Sequence, residues 1–128
     1  MKTLMLILML AIATNSWANE DAQKWTTLDT GLQLTYTVAH VMDWTQTLHI
    51  ARNPNKYYEK NADAYIGKHP TKKKVNAYFA PTFLIDTVIS YSLPKPYRTI
   101  WQSFRIGMIY STVQANRHIG IGISLRFN

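Results

Sequence analysis

The chain has 128 residues, 14 Lys and Arg against seven Asp and Glu, and no cysteine. That length supports one domain, and the missing cysteine excludes a disulfide framework, a thiol nucleophile and Cys-based metal sites. A net charge of +7 would suggest nucleic acid for a cytosolic protein, but the N-terminus points elsewhere.

Residues 1–18, MKTLMLILMLAIATNSWA, read as a signal peptide. Lys2 supplies the positive start, Leu4 to Ala13 an apolar run of ten, and Ser16 and Ala18 the small residues of a cleavage site. Such a run is too short to cross about 30 Å of hydrocarbon as a mature helix. Residues 19–128 are then a single helical domain, exported to the inner membrane or the periplasmic face of the cell envelope. In that setting the basic surplus fits anionic lipid head groups, with a protein partner beside them and no nucleic acid. No cofactor is expected.

The first apolar stretch, Leu28 to Ala51, carries two patterns. Leu32, Leu34, Tyr36 and Val38 alternate with Gln33, Thr35 and Thr37 as in a strand. From Val38 onward helical spacing takes over, so the stretch is read as a helix ending at "RNP", where Pro54 blocks continuation. On that helix Tyr36, His40, Asp43 and Thr47 form one stripe, with Leu34, Val38, Val41 and Leu48 opposite.

The segment 43–70, DWTQTLHIARNPNKYYEKNADAYIGKHP, gathers the polar residues that could carry chemistry: Asp43, Gln46, Glu59, Asn61 and His69. No triad, phosphate loop, EF-hand or HEXXH spacing is present, and His40 and His49 do not share a helix face as a ligand pair would. Asp43 and Gln46, with His40 and His49, are therefore expected to hydrogen-bond neighbouring helices or face solvent, and Glu59, Asn61 and His69 to satisfy the loop backbone and cap helix ends. A metal- or small-ligand-dependent enzyme using Asp43, Glu59 and His69 is the alternative. Tyr57, Tyr58, Trp25 and Trp101 suit a membrane-interface belt.

The second stretch, Lys73 to Leu93, is apolar on every side except for Asp86. Thr71 is its expected N-cap, and Pro81 would kink it or mark its first turn. Three lysines in a first turn oppose the helix dipole and make more sense as a surface anchor. The third stretch, Thr99 to Ala115, places Tyr97, Trp101, Phe104, Met108 and Ala115 on one face, expected to pack, with Arg98, Arg105, Thr112 and Asn116 at its edge. Asp86 and Arg105 are the candidate buried charge pair. Residues 52–74 carry seven Lys or Arg and "PKPYR" two, which would put 52–74 in the cytoplasm and 94–98 outside. Against a membrane stands a mean hydropathy of −0.17. The tail 118–127 alternates Ile119, Ile121, Ile123, Leu125 and Phe127 with polar residues or glycine, a strand pattern.

The central segment resembles a group of small uncharacterised bacterial and phage membrane proteins with a DxxQT, NP, YxExNP and GxHP pattern. Asp43, Gln46, Thr47, Asn53, Pro54, Tyr58, Glu59, Asn61, Gly67, His69 and Pro70 carry it, extending loosely through "VNAYFA" at Val75 to Ala80. Ala62 replaces the proline after Asn61, and two extra residues precede Gly67. The resemblance implies a multi-helix membrane protein and no particular activity.

The fold expected from all this is all-α, a compact bundle of about three helices (a hairpin plus a third), membrane-embedded at its furthest, with a strand-like C-terminal tail. A small outer-membrane β-barrel is the alternative. The expected function is a membrane-associated structural or interaction module of the envelope without catalysis.

Overall fold

The computed structural model describes residues 20–59 and 63–122. Residues 1–18, Asn61 and residues 123–127 of the alternating tail lie outside these. Every regular element among the described residues is helical: α1 (Glu20–Gln23), α2 (Thr27–Arg52), α3 (Asp63–Ile66), α4 (Lys72–Ser92) and α5 (Tyr97–His118).

Local chemistry sets the ends. Thr26 and Asp29 form a capping box at the start of α2, with the Thr26 N–H donating to Asp29 Oδ2 at 2.8 Å and the Asp29 N–H to Thr26 Oγ1 at 3.4 Å. Asn53 closes the helix by donating its side-chain amide to the His49 carbonyl at 2.8 Å, and Pro54 follows. Thr71 caps α4 by accepting from the Lys74 N–H at 3.2 Å. Pro81 lies inside α4, which runs on through it despite the missing N–H. At the end of α5, Gly120 takes φ +90°, the Ile121 N–H returns to the Asn116 carbonyl and the Gly120 N–H to Arg117. This is a Schellman stop.

Contacts fix the topology. Arg98 at the start of α5 meets Asp29 at the start of α2, and Asn116 near the end of α5 meets Gln46 near the end of α2. These two helices run parallel. Trp44 bonds Asn76, and Gln33 bonds Thr87, so α4 runs antiparallel to α2. Apolar packing forms three small clusters: Leu48 with Ile66, Val75 and Phe79; Tyr36 with Ile109 and Val113; and Ile50 with Tyr57 and Ile121.

Several expectations change. The Leu32–Val38 alternation is helical, its hydroxyls folded back so that Thr35 donates to Gly31 O and Thr37 to Gln33 O, both at 2.8 Å. The β-barrel reading therefore fails across the described residues. Residues 119–122 turn the chain and bury Ile121 without forming a strand, and 123–127 lie beyond the described residues. No helix among the described residues is long and apolar enough to cross a membrane. The second and third stretches have the length, at 21 and 22 residues, but inward-facing polar positions dilute them. Tyr57 is buried in the small core around Ile50 and so leaves the interface belt.

The largest change is one of direction. The interior takes Asp29, His40, Gln46, Thr47, Glu59, Asp86, Arg98, Gln102 and Asn116, while Leu34, Val38, Leu84, Val88, Phe104 and Met108 face outward. On the Met and aromatic stripe of α5, Phe104, Met108 and Ala115 are exposed, whereas Tyr97 and Trp101 are half-buried, Trp101 donating to the Asp86 carbonyl at 3.4 Å. The residues assigned to its edge, Arg98 and Asn116, are the buried ones.

Candidate functional site

Four buried polar clusters join the helices. At the first end, Arg98, 1 % exposed, places Nη1 3.2 Å from Asp29 Oδ2 and donates to the carbonyls of Ser90, Lys24 and Gln23. Trp25 covers the guanidinium and stacks on Tyr91. Lys95 completes the cluster 3.5 Å from Asp29. Burial pushes the Asp29 carboxyl up, but the Thr26 bonds together with Lys95 and Arg98 outweigh it and hold the group below its ordinary value of 3.8.

In the middle, Asp86 Oδ2 receives Arg105 Nε at 2.8 Å, lies 2.6 Å from Arg105 Nη2 and accepts from the Tyr36 hydroxyl at 2.8 Å. The expected Asp86–Arg105 pair is present. Burial and the Asp86 carboxylate push the Tyr36 phenol well above its ordinary value. His40 places Nε2 2.9 Å from the Phe79 carbonyl, which makes that nitrogen the protonated one, and Nδ1 3.4 Å from Tyr36. Burial lowers the His40 value, which favours the neutral ring.

Below this pair lies the third cluster, a cavity of about 110 Å³ walled by His40, Asp43, Thr47, Glu59, Tyr78, Thr82 and Arg105, with Phe79, Met108, Ile109 and Thr112 completing it. Asp43 is only partly buried as a residue, but its Oδ1 is sealed from solvent and has no hydrogen-bond partner. Burial, then the Glu59 charge, push its carboxyl up to about 7, against the opposing pull of Arg105 and Thr47. The folded chain therefore holds a proton that the unfolded chain releases. Stability from this group is complete below the ordinary value of 3.8 and is lost as pH rises through about 7. Asp43→Asn, isosteric and uncharged, is expected to exceed the parent by about 1–3 kcal/mol at pH 8 and to match it near pH 4. Thermal melts across that range check this, and an unchanged pH profile in the variant would assign the dependence to another group.

The fourth cluster takes Gln46 away from the cavity. Its Oε1 accepts from Asn116 at 3.1 Å, and its amide lies 3.4 and 3.5 Å from the Val113 and Ile121 carbonyls. Of the candidate polar cluster, the described residues bring Asp43 and Glu59 to one cavity. His69 is exposed and does not line the cavity, and Asn61 is outside the described residues. Thr82 and Tyr78 were not assigned to such a site. The stripe Tyr36, His40, Asp43, Thr47 was the available signal, once its inward direction is known. Among the described residues, no group of three His, Cys, Asp or Glu is arranged to hold a metal.

No protein-family model, curated protein or solved structure matches the chain.

Proposed function

We propose that this is a small exported envelope protein, a membrane-associated structural or interaction module without catalysis. The observation that carries the reading is the reversed distribution of polarity. Leu34, Val38, Leu84, Val88 and Phe104 are each 58–63 % exposed, whereas Gln46, Thr47, Arg98 and Gln102 are each 1 % exposed. Isolated exposed apolar residues are ordinary. An apolar exterior on three adjacent helices around a polar interior calls for an apolar neighbour. Hydrocarbon at a membrane fits, because polar groups on different helices bond one another inside, as Arg98 does Asp29, Arg105 does Asp86 and Asn116 does Gln46.

Charge supports the same reading. The ends of α2 and α5 and the start of α4 share one pole of the bundle, with Lys56, Lys72, Lys73, Lys74 and Arg117. At the opposite pole Lys95 and Arg98 turn onto Asp29. One pole is therefore cationic and the other largely neutralised, as suits contact with anionic head groups on one side. The leader-like residues 1–18 and the resemblance to small multi-helix membrane proteins agree with this location. The competing enzyme reading needs His69 beside Asp43 and Glu59, and His69 sits apart.

Vesicle flotation tests the proposal. The chain is expected to rise with vesicles containing phosphatidylglycerol, and Lys72→Gln, Lys73→Gln and Lys74→Gln are each expected to weaken partitioning about fivefold. Retention at the bottom of the gradient with anionic vesicles would overturn it.

A further inference from the structure

The apolar exterior is not uniform. Between the parallel helices α2 and α5 it sinks into a groove of about 450 Å³, within the range of small-ligand sites, about 300–1,000 Å³. Val113, 2 % exposed, forms the floor with the half-buried Ala39 and Met42. Leu34, Val38 and Tyr110, each 60–61 % exposed, stand as the rims. Thr35 also lines the groove, but its hydroxyl turns back to the Gly31 carbonyl at 2.8 Å. The Tyr110 phenol at the rim is then the one side-chain donor left among these residues, and the walls suit an apolar occupant.

The groove also has a direction. On α5, Tyr110, Val113 and Arg117 follow one another at helical spacing, so the stripe along the groove leads to Arg117 at the cationic pole. Arg117 is exposed and forms no ion pair among the described residues. On α2 the groove runs from Leu34 to Met42, a rise of about 12 Å at 1.5 Å per residue. One leaflet is about 15 Å deep, half of the hydrocarbon core. An apolar trough of nearly leaflet depth, with an unpaired cation beyond one end, has the shape and charge of a single lipid chain under an anionic head.

We infer that the α2–α5 groove seats one acyl chain of an anionic phospholipid, with the lipid phosphate at Arg117. This rests on the membrane reading above and adds a defined site to it. A second copy of the chain in the same orientation would cover the same walls, but it would set its own cationic pole against the first. A phosphate neutralises Arg117 instead.

Native mass spectrometry of the full chain, released from a non-ionic detergent after incubation with phosphatidylglycerol, phosphatidylcholine or palmitate, tests this. One phosphatidylglycerol retained per chain is expected, in preference to phosphatidylcholine, and Arg117→Gln should weaken its binding about fivefold. Val38→Trp, which fills the groove from its exposed rim, should abolish retention, whereas Val88→Trp, the same change on the exposed face of α4, should leave it intact. Circular dichroism checks that both variants fold, and Thr35→Trp, at another exposed lining position, replaces Val38→Trp if that chain does not. No retained lipid, or equal retention by the groove and α4 variants, would overturn the site. Palmitate held as firmly as phosphatidylglycerol would assign a free fatty acid, and a lipid-free dimer lost in Val38→Trp would assign a second copy. Either result replaces the phospholipid. Vesicle flotation keeps the two readings apart. If the parent rises with phosphatidylglycerol vesicles yet retains no single lipid, the groove fails and membrane association stands. If it does not rise, both fail.

Discussion

Asp29→Ala is expected to cost about 3–5 kcal/mol of folding stability, because it strands the Arg98 guanidinium inside the bundle. Arg98 joins four segments at once, through the carbonyls of Gln23 and Lys24, the Asp29 carboxylate on α2 and the Ser90 carbonyl near the end of α4. Those carbonyls belong to helix C-termini, where a cation is favoured, and Asp29 sits in the first turn of α2, where an anion is favoured. One ion pair thus also answers the helix dipoles on both sides. Arg98→Lys is no mild change here, since an ammonium cannot reproduce the fork that reaches three carbonyls and a carboxylate. Asp29→Ala and Arg98→Met together should cost less than the sum of the two, by about 2 kcal/mol, because neither then leaves a lone buried charge. Denaturant unfolding of the four chains measures this, and strict additivity would show that the two groups act separately. The sign of the pH dependence follows from the lowered Asp29 value: its contribution is present above the ordinary 3.8 and is lost as pH falls through the still lower folded value.

The same cluster marks the limit of what the residues disclose in order. Asp29 and Arg98 are 69 positions apart, and nothing in either neighbourhood names the other. A Thr-x-x-Asp capping box at Thr26 was there to be read and would have located the start of α2. Helix ends guarded by proline or a capping hydroxyl, at Asn53–Pro54 and at Thr71, were legible because their chemistry is local. So was the pair of Asp86 and Arg105, since each interrupts an otherwise apolar stretch and a buried charge needs a partner. Helical periodicity also separated the Tyr36, His40, Asp43, Thr47 stripe from the Leu34 and Val38 face. Period alone has no inside or outside, however. The assumption that apolar faces turn inward holds in water, and it misplaced the Phe104–Met108 face of α5. The 43–70 segment misled for a related reason. Proximity in sequence grouped Gln46 with Asp43, but residues three apart on a helix need not share a target, and Gln46 turns toward α5 at Asn116.

Charge reversal at the central pair gives the second large effect. Asp86→Arg should be severely destabilising, by about 3–5 kcal/mol, because it sets two guanidinium groups together in a site only slightly open to solvent. Arg105→Asp should cost a similar amount by leaving two carboxylates facing each other with the Tyr36 hydroxyl between the helices. Combining them restores attraction across α4 and α5, and the double variant is expected to recover well over half of either loss. Full recovery is not expected. In the parent one oxygen, Asp86 Oδ2, takes both Arg105 contacts and the Tyr36 proton, and a carboxylate moved to position 105 must meet that phenol from α5. Tyr36→Phe isolates this part: it should cost about 1 kcal/mol or more in the parent, by removing a hydrogen bond to a charged group, and little in the swapped chain. Circular dichroism melts and denaturant titration of the single, double and Tyr36→Phe chains read out all of these terms. If the swap recovers nothing while each single variant still folds, the carboxylate and guanidinium are needed in their present places, and the pair does more than hold α4 and α5 in register.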